Sequence, residues 1–162
     1  MEILTVKPEM IEETSAFATQ VFIDYYTPLI GQKQSEYMTD LFLSAQAIED
    51  LINDGAVFRQ VRINDKLVGF CEYKIDGDRL FLSKLYADKK HRGMGLGSFM
   101  FEDVVDYAKK NGLNKIYLTV NKGNTPSYNI YDHFGFKVID SVETDIGSGY
   151  IMDDYIMEYE VQ

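Results

Sequence analysis

The sequence predicts an α/β domain of the α+β kind: a mixed, mostly antiparallel central sheet flanked by helices on both faces. Three observations predict it. Residues 56–63, 66–75 and 79–87 are apolar runs rich in β-branched and aromatic residues. They are separated only by Asn64-Asp65 and Asp76-Gly77-Asp78, which reads as an antiparallel meander. In the middle run both alternating sets, Val68 and Phe70 against Leu67, Cys71, Tyr73 and Ile75, are apolar, so helices are expected above and below. The third run passes through a glycine-rich stretch into an amphipathic helix, after which strand and helix signals alternate to the end.

Taken in order, residues 2–7 alternate as a short strand, and Pro8 suits the first turn of a helix running through Phe17 and Val21 to about Phe22. Residues 23–43 are less regular, because Pro28 and Gly31 interrupt them, and a helix is expected over 36–43. Ser44 has the chemistry to cap a following helix over 45–53. Beyond the meander, a helix beginning near Gly97 carries Phe101, Val104, Val105 and Ala108 at core spacing. Acids Glu102 and Asp103 lie early in it, Lys109 and Lys110 late, and Gly112 ends it. A strand over 115–120, a helix over 124–134 stopped by Gly135, a strand from Phe136 and a last strand from Tyr150 complete the chain.

Length and composition narrow the function. At 162 residues the chain makes one domain, 1–162, with a core that buries roughly two thirds of the unfolded surface. The lone Cys71 has no disulfide partner and the amino terminus lacks a basic-then-apolar leader, so the cytoplasm is the expected compartment. No apolar run approaches membrane-spanning length, and a net charge of −10 disfavours a nucleic-acid surface while favouring cationic partners. Only His91 and His133 accompany the single cysteine, so no zinc cluster follows from spacing and no metal is required. A homodimer is compatible with the composition.

The chemistry concentrates in Arg92-Gly93-Met94-Gly95-Leu96-Gly97-Ser98. Alternating glycines let backbone approach a ligand closely, and the unpaired N–H groups of a helix start then face an anion, here a pyrophosphate. Two familiar phosphate motifs fail: the dinucleotide fingerprint wants its third glycine one place later, and the P-loop wants Gly-Lys-Ser/Thr.

The loop resembles the acetyl-CoA signature of the GNAT superfamily of N-acetyltransferases, Gln/Arg-x-x-Gly-x-Gly/Ala, through Arg92, Gly95 and Gly97. Downstream, Asn124, Ser127, Tyr131 and Gly135-Phe136 resemble a second motif of that superfamily. The resemblance covers about residues 78–138 strongly and the first fifty only in element order. It implies acetyl-CoA as donor, its pyrophosphate on the backbone amides of Arg92, Gly93, Met94, Gly95, Leu96, Gly97 and Ser98. The exposed edge of Leu85, Tyr86 and Ala87 then pairs with pantetheine, an assignment that a free strand edge suits physically.

Asn124, Ser127 and Tyr131 share one face if helical and are expected to line the same ligand. By the resemblance, Asn124 bonds the cofactor or holds its arm, Ser127 permits close approach, and the Tyr131 hydroxyl protonates the departing thiolate. A phenol near ~10 can serve a thiol near ~8.5 because the proton is needed only as charge develops. The plain alternative is that Tyr131, one of twelve tyrosines, packs a core.

Many members use a strand glutamate to deprotonate the amine, and here that position falls on Phe81. Glu72, Asp24, the Asp153-Asp154 pair or a water relay through Ser83 are left as bases, with Glu72 carried forward and pairing to a nearby lysine as its alternative. Cys71 reads as a small buried hydrophobe rather than an acyl carrier. Acids beside tyrosines, Asp24-Tyr25, Glu36-Tyr37 and Asp153, are candidate contacts for a small amine acceptor such as a polyamine. The chain is also loosely similar to bacterial spermidine/spermine acetyltransferases. Competing expectations are a protein or peptide amino group as acceptor, and a non-catalytic acyl-CoA sensor.

Overall fold

Seven strands form one sheet, and what positions the site is the place where that sheet comes apart. The computed structural model describes the whole chain, Met1–Gln162. Strand β1 (Glu2–Thr5), helices α1 (Ile11–Ile30), α2 (Gln32–Leu43) and α3 (Ala45–Asn53), and strands β2 (Val57–Ile63), β3 (Lys66–Asp76) and β4 (Arg79–Ala87) make the first half. Helix α4 (Leu96–Lys110), strand β5 (Lys115–Asn121), helix α5 (Thr125–Phe134) and strands β6 (Lys137–Gly147) and β7 (Tyr150–Glu160) make the second. The strand order is β1-β2-β3-β4-β5-β7-β6, antiparallel throughout except for β4 beside β5. No helix is long and apolar enough to cross a membrane.

That parallel pair is short. Strands β4 and β5 register only at Arg79, Leu80 and Phe81 opposite Lys115, Ile116 and Tyr117. The cause lies on the other edge of β4, where Glu72 faces Lys84 but Tyr73 faces Leu82, so Ser83 is an extra residue in a β-bulge. A bulge bends its strand and raises the local twist. From Leu82 onward β4 therefore leaves β5, and the later half of β4 keeps a backbone edge turned toward the gap.

A second bulge corrects the sequence reading. Val61 faces Gly69 while Arg62 faces Leu67, leaving Val68 unpaired. The extra residue shifts the alternation, so Val68 joins Cys71 and Tyr73 in the larger core rather than sharing a face with Phe70, which belongs to the smaller one. The larger core lies between sheet and α4, with Tyr128, Tyr131 and Phe134 of α5 packed onto it. The smaller one lies under α1, α2 and α3. Both faces are covered, as expected.

The other difference is at Pro28. Helix α1 does not end near Phe22 but runs through Pro28 to Ile30, and Gly31 at φ +88 separates it from α2, which starts at Gln32 rather than 36. Proline removes a single helical hydrogen bond, a loss of ~3 kcal/mol in an unsupported helix interior. Here Phe22, Tyr26 and Ile30 pack the extra turns onto the smaller core and hold them. Ser44 caps α3 as predicted, its Oγ accepting from the Ala47 N–H at 3.1 Å.

Candidate active site

Gly95 is the residue that turns the chain from the loop into α4. It sits in the left-handed region at φ +80, ψ 15, and nothing lies within 4 Å of where a Cβ would be. The first turn of α4 has no side-chain cap and no acidic residue. Its leading amides and the positive end of the helix dipole therefore face an open space, the condition for holding an anion.

That space is a cavity of about 540 Å³ whose wall includes Leu85, Tyr86, Ala87, Arg92, Gly93 and Gly95. Leu96, Gly97, Ser98 and Ser127 of the expected set also line it, whereas Met94, which is 53% exposed, Asn124 and Tyr131 do not. The far wall was not expected: Val21 comes from the helix foreseen through Phe22, and Tyr25 from the stretch left irregular and offered to the acceptor. The Arg92 guanidinium lies over the Tyr25 ring at 5.1 Å. Tyr25 thus stands on the anion side.

Asn124 caps α5 rather than lining a helical face. Its Oδ1 accepts from the Ser127 N–H at 3.3 Å and the Tyr25 hydroxyl at 2.6 Å, and its Nδ2 donates to the Tyr26 hydroxyl at 3.0 Å. Only 2% exposed, it ties α1 to α5 across the parted strands. Asn124→Ala removes the cap and its bonds to two tyrosine hydroxyls, so a loss of about 1–3 kcal/mol is expected. A thermal melt that did not move would show that the tether is not structural.

Ser127 and Tyr131 do come together, in a pocket of about 110 Å³ inside the gap between β4 and β5, with Ser83, Leu85, Tyr86 and Asp154. Burial, then the neighbouring Tyr26 and Tyr25, push the Tyr131 phenol well above its ordinary range. Burial also pushes Tyr26 up to about 12 and Tyr86 well above its ordinary range. These hydroxyls stay protonated at neutral pH. The Asp154 carboxyl, 4% exposed, is pushed up to about 6 by burial and by the charge of Asp153, with Lys122 opposing.

The pocket opens into a larger chamber of about 630 Å³ under α1 and α2, walled mainly by Phe22, Met38, Phe42, Leu51, Phe81 and Met152. The Tyr37 hydroxyl, which donates to the Ile146 carbonyl at 2.6 Å, joins α2 to the β6–β7 hairpin. Phe81, the residue on which the resemblance places the usual carboxylate, stacks on Tyr117 at 4.9 Å and forms part of the chamber wall.

Glu72 does line the chamber, but Lys84 Nζ donates to it at 2.5 Å and both side chains are almost wholly buried. Removing one partner of such a pair leaves the other charge unmet, at ~3–5 kcal/mol. Glu72→Gln is therefore expected to lower the melting temperature by about 6 °C or more, at ~2–4 °C per kcal/mol for a domain of this size. An unchanged melt with lost turnover would instead put Glu72 in the chemistry.

None of the acids expected at the acceptor lines the chamber. Asp24 accepts from Gln20 at 2.8 Å, Glu36 from Gln32 at 3.0 Å, and Asp153 pairs with Lys122 at 3.0 Å. The first two are i, i+4 pairs on helical turns that lie beyond the ends expected from the sequence. Cys71 is fully buried, which pushes its thiol up and suits a packing role.

Residues 18–136 match the model of the acetyltransferase (GNAT) family. The chain is 28% identical over 131 residues to the spermidine N(1)-acetyltransferase of Thermoplasma acidophilum, covering 80% of this chain and 76% of that one. It is 28% identical over 98 residues to N-alpha-acetyltransferase 50 of Danio rerio, 57% of this chain and 58% of that one. Several curated relatives are matched over only about half their length, 54%, 45% and 58% in three cases. Among solved structures, the PaiA N-acetyltransferase of Thermoplasma acidophilum in complex with coenzyme A has the same fold, with a TM-score of 0.83 at 23% identity over 98% of both chains. With the glycine loop, the parted strands and the capped α5 all in place, this chain belongs to the acetyltransferase (GNAT) family.

Proposed function

We propose that the protein moves an acetyl group from acetyl-CoA to a primary amine, directly and within a ternary complex. The observation that carries this reading is the gap between β4 and β5, with an anion-binding helix start at one mouth, a chamber at the other and Tyr131 between them. The pyrophosphate rests on the amides from Arg92 to Ser98, and the pantetheine amides pair with the free edge of Leu85, Tyr86 and Ala87. Ser127 lets the thioester approach. Strand amides polarise its carbonyl as charge develops, and holding the two reactants together removes much of the encounter entropy.

Tyr131 is the proton donor to the departing sulfur. The burial that raises the phenol also disfavours a bare thiolate in the same pocket, so donation stays feasible as the C–S bond breaks. The acceptor amine enters through the chamber. A polyamine or other small amine is the first reading, supported by the name of the Thermoplasma relative. The peptide amino terminus is the second, favoured by the apolar chamber wall and by the name of the Danio relative.

The test is CoA release with a panel of spermidine, aminoglycosides, amino acids and short peptides across pH 7–9. Amine-dependent release supports the enzyme and identifies the acceptor. Binding alone does not discriminate, because a ligand at a hundredfold excess over its dissociation constant stabilises any binder by about 2.7 kcal/mol. Confirmed acetyl-CoA binding with no release for any amine would make the protein a sensor.

A further inference from the structure

Resting on the acetyl-transfer reading, we infer that Asp154 takes the proton from the incoming ammonium group. Among the residues around the pocket between the parted strands, Asp154 contributes the only carboxylate, and Tyr131 shares that pocket. It is also the one acid of the region without a partner. Glu72 is held by Lys84, Asp153 by Lys122, and Asp76 accepts from the Tyr117 hydroxyl, whereas no side chain donates to Asp154. A buried carboxylate left unmatched is costly to a fold, and an arriving cation would supply the missing charge.

The surroundings keep the group poised. Strand β7 contributes Asp153, β5 contributes Asn121 as the paired residue, and β6 contributes Val142. Tyr26 of α1 faces it electrostatically, Lys122 opposes the charge of Asp153, and the lysine of the pocket, Lys84, is committed to Glu72. Burial and Asp153 raise the carboxyl to about 6, so it is ionised at neutral pH yet basic enough to accept a proton.

The protons balance as follows. The ammonium gives one proton to a carboxylate oxygen of Asp154. The freed nitrogen forms a bond to the thioester carbon, and collapse of the tetrahedral adduct breaks the C–S bond. Sulfur leaves with the proton of the Tyr131 hydroxyl. The second nitrogen proton restores the phenol, and Asp154 releases its own to solvent, so the products are amide, CoA thiol and one proton.

The test is Asp154→Asn with spermidine and, in parallel, an unblocked methionyl peptide. Wild-type kcat/KM should rise to a plateau just above pH 6 and stay there. In the variant only amine already neutral in solution reacts, so kcat/KM should be about a hundredfold lower at pH 7 and climb roughly tenfold per pH unit toward the amine's own pKa. Acetyl-CoA affinity should not change. A purely structural role would scale activity equally at every pH.

Stability gives a second readout. A carboxyl whose folded value is raised binds its proton more readily in the folded state, so its contribution falls as pH rises from about 4 to about 6 and is absent above. The asparagine variant should therefore melt at or above the wild-type temperature at pH 7. An unchanged pH profile, or a variant that fails to fold, overturns the assignment of Asp154. Absence of amine-dependent turnover in the wild type overturns the acetyl-transfer reading instead.

Discussion

Gly95→Asp should leave the chain folded and abolish acetyl-CoA binding. The residue occupies the left-handed region, where an L-side chain costs about 1–2 kcal/mol and aspartate is among the residues best tolerated. No atom within 4 Å meets an added Cβ, so nothing has to shift. The new carboxylate stands at the N-cap of α4, a position aspartate favours because it accepts from the amides of the first turn. Part of the backbone strain is thereby offset.

The same hydrogen bonds remove the anion site. Amides that would face the pyrophosphate are taken by the side chain, and two unit charges about 4 Å apart near a protein surface repel by about 4 kcal/mol. At ~1.4 kcal/mol per tenfold, that is close to three orders of magnitude in affinity. Titration calorimetry with acetyl-CoA, alongside a melt within a few degrees of wild type, checks it. Normal affinity would mean that the phosphates lie elsewhere.

What was legible in the sequence was what short-range chemistry decides. The meander, the Ser44 cap and the glycine turn into α4 each depend on a few adjacent residues, and each stands where expected. The bulges at Val68 and Ser83 are different, because one extra residue inside a run of apolar residues leaves no mark in composition. Helix α1 passes Pro28 because of packing from Phe22 and Tyr26 that sequence spacing cannot weigh.

The acids separate along the same line. Asp24 and Glu36 sit four residues from glutamines on their own helices, a local pattern hidden from the sequence because the expected helices stopped near Phe22 and began at 36. Asp153 and Asp154 are neighbours on one strand, so alternation sends one outward to Lys122 and the other inward, and only the sheet register decides which. The resemblance put the usual base position on Phe81, which carries no carboxylate; Asp154 is proposed instead from the tertiary fold.

Tyr131→Phe should lower turnover by about a hundredfold, at the lower end of the 10²–10⁴ typical of general acid catalysis, with little change in acetyl-CoA affinity. The ring is held by Phe134 and Phe136, at 6.4 and 5.7 Å between centroids, and phenylalanine keeps both contacts. No protein group accepts from the hydroxyl, so the substitution removes only a proton aimed into the gap between β4 and β5, and the melt should hold. Because that proton matters as the C–S bond breaks, kcat and kcat/KM should fall together while KM stays level. The deficit should also persist from pH 6 to 9, since burial keeps the phenol protonated over that interval. This separates it from the loss expected on removing the Asp154 carboxylate, which shrinks as solution amine deprotonates. Stopped-flow thiol release at saturating acetyl-CoA measures it, and unchanged turnover would exclude Tyr131 as the donor.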